Sequence, residues 1–478
     1  MTNNDASVTT DSIHSKTLQP LHEPLSDVEM TLPQSYFAVM KNVVVVGFAF
    51  LLLFTSFQSI QNLQSSLNEE ENIGLISLII VYTSLIISCM FVPPMLISRI
   101  GCKWTLVASM SCYVAYIAAN YYPRWYTLGF TSVLLGFGAA PLWSSKCAYL
   151  TTTAISHAKH NSIPQDVVIT RFFGIFFMIF QSAQVWGNLI SSEVLKQSEQ
   201  SLKSNFTNQS LAYDVIEVCG ANDCGQVLSQ KNSSVLIVPE KSTVVILVTI
   251  YLVCGFLSIA ATLLFVDQLK EENIKVRHPK LRLFVSTLRH LQEIRMLLVV
   301  PLTIYSGLEQ GFVFADFTKS FVTCVYGIDK VGYVMICFGV GNSIFSYLLG
   351  KLAKYIGRLP IFISGAVTHL VIYVVLLSYT PDRHMITVPF VIAALWGYAD
   401  AVWQTQINAF YGVLFHDKQE AAFSNYRLWE SLGFVISFAL SSAICVRVKI
   451  IILMVVLIVG MAFYVAVEII HRREAKDT

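Results

Sequence analysis

From about residue 42 onward the chain alternates long apolar runs with short polar breaks. This rhythm predicts twelve membrane-crossing helices, at roughly 42–66, 73–97, 103–122, 126–149, 167–193, 242–266, 297–322, 330–350, 359–379, 386–412, 425–446 and 448–470. Most of the runs reach the ~20 residues that span about 30 Å of hydrocarbon. Segments 196–241 and 267–296 are too polar to insert. Residues 1–40 are rich in Ser and Thr and lack the apolar core of a cleavable signal, so they read as a disordered tail.

The pattern repeats. Pro94-Met95-Leu96-Ile97-Ser98-Arg99-Ile100-Gly101-Cys102-Lys103 is echoed by Gly350-Lys351-Leu352-Ala353-Lys354-Tyr355-Ile356-Gly357-Arg358, an offset of 256 residues (350 − 94). Arg171 and Arg427 open apolar runs at the same offset (427 − 171). Each copy sets a short basic loop with a glycine for the reversal between its second and third runs. Two parallel repeats of six spans are the layout of major-facilitator transporters. The expected fold is therefore an all-α membrane protein of that type. Residues 1–40 and 471–478 would be cytosolic tails, 41–266 and 297–470 two six-helix bundles, and 267–296 the cytosolic linker between them.

Composition agrees with the class: 55% of residues are hydrophobic and 13% charged, against about 25% charged in soluble domains. A net charge of +2 with no aromatic-interleaved basic patch gives no reason to expect a nucleic-acid partner. Lys270, Lys275, Arg277, Lys280, Arg282 and Arg289 crowd the central segment, whereas the short loops opposite carry only Arg124, Lys330, Arg383, Arg447 and Lys449. The positive-inside rule then puts both termini and the linker in the cytosol.

Segment 196–241 falls on the opposite side, and it holds three glycosylation sequons, at Asn205, Asn208 and Asn232. It also holds Cys219 and Cys224, for which a small local disulfide is expected in an oxidising lumen. The remaining cysteines, Cys324 and Cys445 among them, read as small apolar packing residues. No metal-ligand spacing, Walker loop, His-Glu-x-x-His or Gly-x-Ser-x-Gly occurs, so neither an enzyme nor a cofactor or metal site is expected.

Polarity inside the spans is the informative chemistry, because ionisable groups there are expensive. Asp400, Gln404 and Asn408 recur every fourth residue and form one stripe, flanked by Trp396 and Trp403. Glu309 and Asp316, seven residues apart, share a helix face in span seven with Gln310 and Lys319 nearby. Lys146 lies in span four, and Gln58, Gln61, Asn62 and Gln64 in span one. Spans one, four, seven and ten line the cavity of major-facilitator folds, so Asp400, Gln404, Asn408, Glu309, Gln310, Asp316 and Trp403 are candidate cavity residues. Structural roles fit as well. Lys319 can neutralise Asp316, Arg427 can neutralise Glu430 three residues away, and Asn and Gln serve as interhelical glue.

Several strings resemble the uncoordinated-ninety-three (Unc-ninety-three) family. They are Gly138-Ala139-Ala140-Pro141-Leu142-Trp143-Ser144, Gln184-Val185-Trp186-Gly187-Asn188, Val331-Gly332-Tyr333-Val334-Met335, Ala399-Asp400-Ala401-Val402-Trp403-Gln404 and Asn425-Tyr426-Arg427-Leu428-Trp429-Glu430. The resemblance runs from about residue 40 to 470. It implies a major-facilitator fold, no set of catalytic residues, and a role as an accessory protein. The founding member is similar to a regulatory subunit of a two-pore potassium channel, and another branch escorts Toll-like receptors. The loop acid that latches cycling transporters is replaced by Ser98 and Lys354, which favours the same role. The expected function is thus regulation or trafficking of a potassium channel subunit or membrane receptor, in the cell membrane or an endosomal or lysosomal one. The alternative is secondary transport of a small solute coupled through Asp400 or Glu309.

Overall fold

The computed structural model describes residues 36–67, 72–162, 165–203, 219–224, 240–269, 293–415 and 419–477. The described residues are almost wholly helical: α1 (Tyr36–Leu67), α2 (Ile73–Ala119), α3 (Phe130–His160), α4 (Gln165–Gln181), α5 (Ala183–Lys203) and α6 (Lys241–Phe265), then α7 (Ile294–Tyr326), α8 (Asp329–Ile356), α9 (Arg358–Ser378), α10 (Thr387–Leu414), α11 (Gln419–Ala443) and α12 (Val446–Asp477). The expected spans map onto these with three departures. Spans two and three are the two limbs of α2, bent at Gly101, whose φ is positive. Span five is broken at Ser182 into α4 and α5, and α5 runs on to Lys203. α7 is α-helical to Phe312 and then π-helical over Val313–Thr323.

Among the described residues, ten segments are long and apolar enough to cross a membrane. α10 and α11, with 28 and 25 residues, are outside that ten and carry much of the buried polar site. Large apolar side chains point outward along the bundle, including Phe48, Phe256, Leu264, Val371 and Ile458. Such a surface suits lipid and would be costly in water.

The first half packs α1 on α6 and α2 on α3; the second packs α7 on α11 and α12, and α8 on α10. The most extensive pairings between the halves are α5 with α8, α2 with α11, and α1 with the π-helical part of α7. The α5–α8 contact is backbone against backbone. A Cβ at Gly332 would lie 2.2 Å from the Asn188 carbonyl oxygen, and Ser192 Oγ donates to the Asp329 carbonyl at 2.6 Å. On α2, Tyr82 stacks on Phe434 of α11 with ring centroids 4.2 Å apart.

Candidate functional site

The second half encloses a polar centre. Glu309 of α7 and Asp400 of α10 are 0% and 2% exposed, and the two carboxyls are neighbours. Trp396 Nε1 donates to Glu309 Oε2 at 2.6 Å, and Asn342 Nδ2 of α8 donates to Asp400 Oδ2. Above them lies His369 of α9, fully buried, with Nε2 3.9 Å from Glu309 Oε2. Trp403 Nε1 donates to His369 Nδ1 at 3.1 Å. An indole nitrogen can only donate, so Nδ1 accepts and the Tyr305 hydroxyl also donates to it. Tyr373 in turn donates to Tyr305 at 2.7 Å.

This burial corrects the expectation of a wet cavity for Glu309, Asp400 and Trp403. Around them the rings of Tyr305 and Trp403 pack edge to face, and His369 packs against Trp396. The lower stripe is half-buried. Gln404 Nε2 reaches Ser306 Oγ at 3.2 Å and Glu430 Oε1 at 3.3 Å, while Asn408 Nδ2 donates to the Gln404 carbonyl at 2.6 Å. Gln310, also half-buried, donates to the Ser306 carbonyl on its own helix. Arg427 pairs with Glu430 at 2.7 Å, and its guanidinium lies 4.8 Å from the Trp143 ring of the first half. On that half Lys146 is buried, its Nζ 4.6–5.3 Å from the rings of Phe176, Phe177, Trp143 and Phe173. The span-one amides act inside the first half: Gln61 on Tyr82, Asn62 on Gln184 and Asn188, and Gln64 on Tyr116 and Asn120.

Asp316 does not join Glu309, nor is Lys319 its hydrogen-bonded neutraliser. Its Oδ1 is held by Lys449 of α12 at 2.5 Å and Ser441 of α11 at 2.7 Å. Seven residues bring two side chains to one face only where the winding is α-helical. The wider π turns after Phe312 rotate Asp316 away.

The cysteine pairing is also corrected. Cys219 bonds Cys324 at the end of α7, and Cys224 bonds Cys445 between α11 and α12, instead of the two closing on each other. A 3₁₀ turn at Gly220–Asn222 separates the two thiols and seats the hexapeptide on the second half. Ser320 Oγ donates to Asp223 Oδ2 at 2.6 Å, and Val446 N donates to the Asp223 carbonyl at 2.9 Å. Burial pushes the Asp223 carboxyl above the ordinary carboxylate range, against the pull of Ser320, Lys319 and Lys449. At the other end of the bundle, Asp267 follows α6 and binds Lys41 and Asn42 of α1 at 2.9 and 3.0 Å. Partial burial pushes its carboxyl up, but those hydrogen bonds and the charges of Lys41 and Lys103 outweigh it, so it titrates below the ordinary range.

Asn205, Asn208 and Asn232 lie outside the described residues, as do the 1–35 tail, most of the linker and the side chains of Ser98 and Lys354. Sequence reasoning missed His369, Asn342, Cys324 and Cys445. His369 stands mid-way along an apolar span, where an ionisable residue is itself a signal. For the cysteines, the signal was that both fall at the ends of spans expected to face the 196–241 side.

The helical arrangement resembles that of a nucleoside transporter, NupG, whose crystal structure in a mutant form superposes with a TM-score of 0.60. That likeness, at 11% identity over 89% of this chain and 99% of the other, concerns the fold alone. Protein unc-93 homolog A of Xenopus laevis is 46% identical over 450 residues, covering 91% of this chain and 95% of that protein. The putative potassium channel regulatory protein unc-93 of Caenorhabditis elegans is 37% identical over 438 residues, 90% of this chain and 61% of the nematode protein. The family model described as ion channel regulatory protein UNC-93 matches residues 64–465. This multi-pass helical membrane protein belongs to the UNC-93 family.

Proposed function

We propose that the chain is a non-enzymatic regulatory partner of a potassium channel. The observation that carries this reading is the family match over residues 64–465, which takes in both halves of the bundle. The packed seam between α5 and α8 supports it, because a regulator works through a stable surface and has no need to rock open. In this reading all twelve spans cross the cell membrane as two six-helix repeats. Both termini are cytosolic, and the 196–241 loop is outside and glycosylated at Asn205, Asn208 and Asn232. Disulfides on Cys219 and Cys224 support that side assignment, since they persist in oxidising compartments.

The test is co-expression with a two-pore potassium channel subunit under voltage clamp, together with co-purification of the two chains. Current amplitude or gating should change and the proteins should elute together. The transport alternative would prevail if current were unchanged and proteoliposomes holding this chain alone accumulated a small solute.

A further inference from the structure

The polar centre of the second half has an unbalanced hydrogen-bond count. Glu309 Oε1, Asp400 Oδ1 and His369 Nε2 are all buried, and none has a hydrogen-bond donor or acceptor among ordinary N–H and O–H groups. Glu309 receives Trp396 on its other oxygen and Asp400 receives Asn342 on its own. If both carboxyls were ionised, two negative charges would share a site with no cation in contact, an arrangement that burial forbids. The charged groups facing the pair are few. From α11, Glu430 faces it but is already paired with Arg427. α12 contributes Lys449, which is bound to Asp316 farther along α7. From α9 come His369 and Tyr373, and from α7 itself Tyr305.

We infer that Glu309 and Asp400 together form a buried proton-binding site that holds one shared proton, with His369 as a neutral N–H donor beside it. A single proton lowers the count: the protonated carboxyl donates to its neighbour through one O–H···O bond, and one of the two negative charges is removed. His369 completes the site geometrically. Its Nδ1 accepts from Trp403 and Tyr305, so in the neutral ring the proton sits on Nε2, facing Glu309 Oε2. Release transfers the shared proton to water, leaving one carboxylate more and one hydronium. The exit runs along Gln404, one turn from Asp400, to Glu430 and the partly exposed Arg427 at the seam between halves. Loading therefore reports to the Arg427–Trp143 contact that bridges the halves. This inference stands apart from the regulatory reading, since it holds whatever partner the protein has.

Infrared difference spectroscopy on full-length protein in lipid nanodiscs, stepped between acid and alkaline pH, tests it directly. The expected result is a protonated-carboxyl carbonyl band that shifts on deuteration and is displaced in Glu309→Gln and in Asp400→Asn, yet is unchanged in Glu430→Gln. Where a neutral variant does not fold, Glu309→Asp keeps the carboxyl and should move the band without abolishing it. A wild-type protein with no deuterium-sensitive carbonyl band overturns the inference, and so does a band indifferent to all three site variants.

Discussion

Gly101 and Gly357 hold the same backbone conformation, with φ/ψ of 74°/170° and 77°/176°, at positions 256 residues apart (357 − 101). The region is reserved for glycine, because a Cβ there collides with its own backbone. The sequence echo between the two loops is therefore also an echo in geometry, at the two points where helices reverse.

Replacing either glycine with alanine should destabilise the protein by about 1–3 kcal/mol through backbone strain. Nothing lies within 4 Å of a Cβ at Gly357, so crowding cannot be the cause. Gly129→Ala, also with open space but an ordinary helical φ of −63°, should be neutral. Thermal unfolding of detergent-solubilised protein, followed by tryptophan fluorescence, measures the difference. Equal melting of all three variants would refute the strain argument.

Non-reducing peptide mapping should recover Cys219 joined to Cys324 and Cys224 joined to Cys445. Cys445→Ser should leave Cys224 open to an impermeant maleimide while Cys219 stays protected. The stability loss should fall short of the ~4–5 kcal/mol of a free loop of such length, because inserted helices already restrict the unfolded chain. Recovery of a Cys219–Cys224 ring as the main species would contradict the structure.

Asp267 gives a pH dependence of definite sign. Its folded carboxyl titrates below the ordinary value of 3.8. Its contribution is thus complete above 3.8 and disappears as pH falls through the lower folded value. Both partners are about half exposed, so the effect should remain below about 1 kcal/mol. Melting of the wild type and of Asp267→Asn, compared across acid pH, should differ near neutrality and converge in acid. A gap that widened in acid would reverse the assignment.

Gly332→Leu should pry α5 from α8, since its side chain would enter the Asn188 carbonyl. A Ser192→Cys reporter, buried in that contact, should resist aqueous maleimide alone and react once Gly332→Leu is added. Unaltered protection at normal yield would show the seam to be looser than its geometry.

Helix order and the glycine loops were legible in the sequence because periodicity, length and backbone demand are local properties. The stripe through Asp400, Gln404 and Asn408 was legible for the same reason. Asp316 was misplaced because no local signal marks the π-helical winding between Phe312 and Cys324. His369 was passed over because its role depends on three helices meeting, with donors from Trp403 and Tyr305. The disulfide partners were missed because a pairing across 105 or 221 residues is decided by tertiary contact, whereas spacing favoured the near neighbour.

Those long separations also set a timetable for biosynthesis. Cys224 leaves the ribosome 221 residues ahead of Cys445, an interval of about 10–45 s at ~5–20 residues per second. Throughout that wait the nearest thiol to Cys224 is Cys219, so the local ring is the first product that chemistry offers. If that ring closes, native pairing proceeds by exchange through a mixed disulfide after α11 and α12 have been inserted. A nascent chain halted before that last hairpin carries an unpaired or mispaired hexapeptide loop, which quality control in the secretory pathway can read as unfinished.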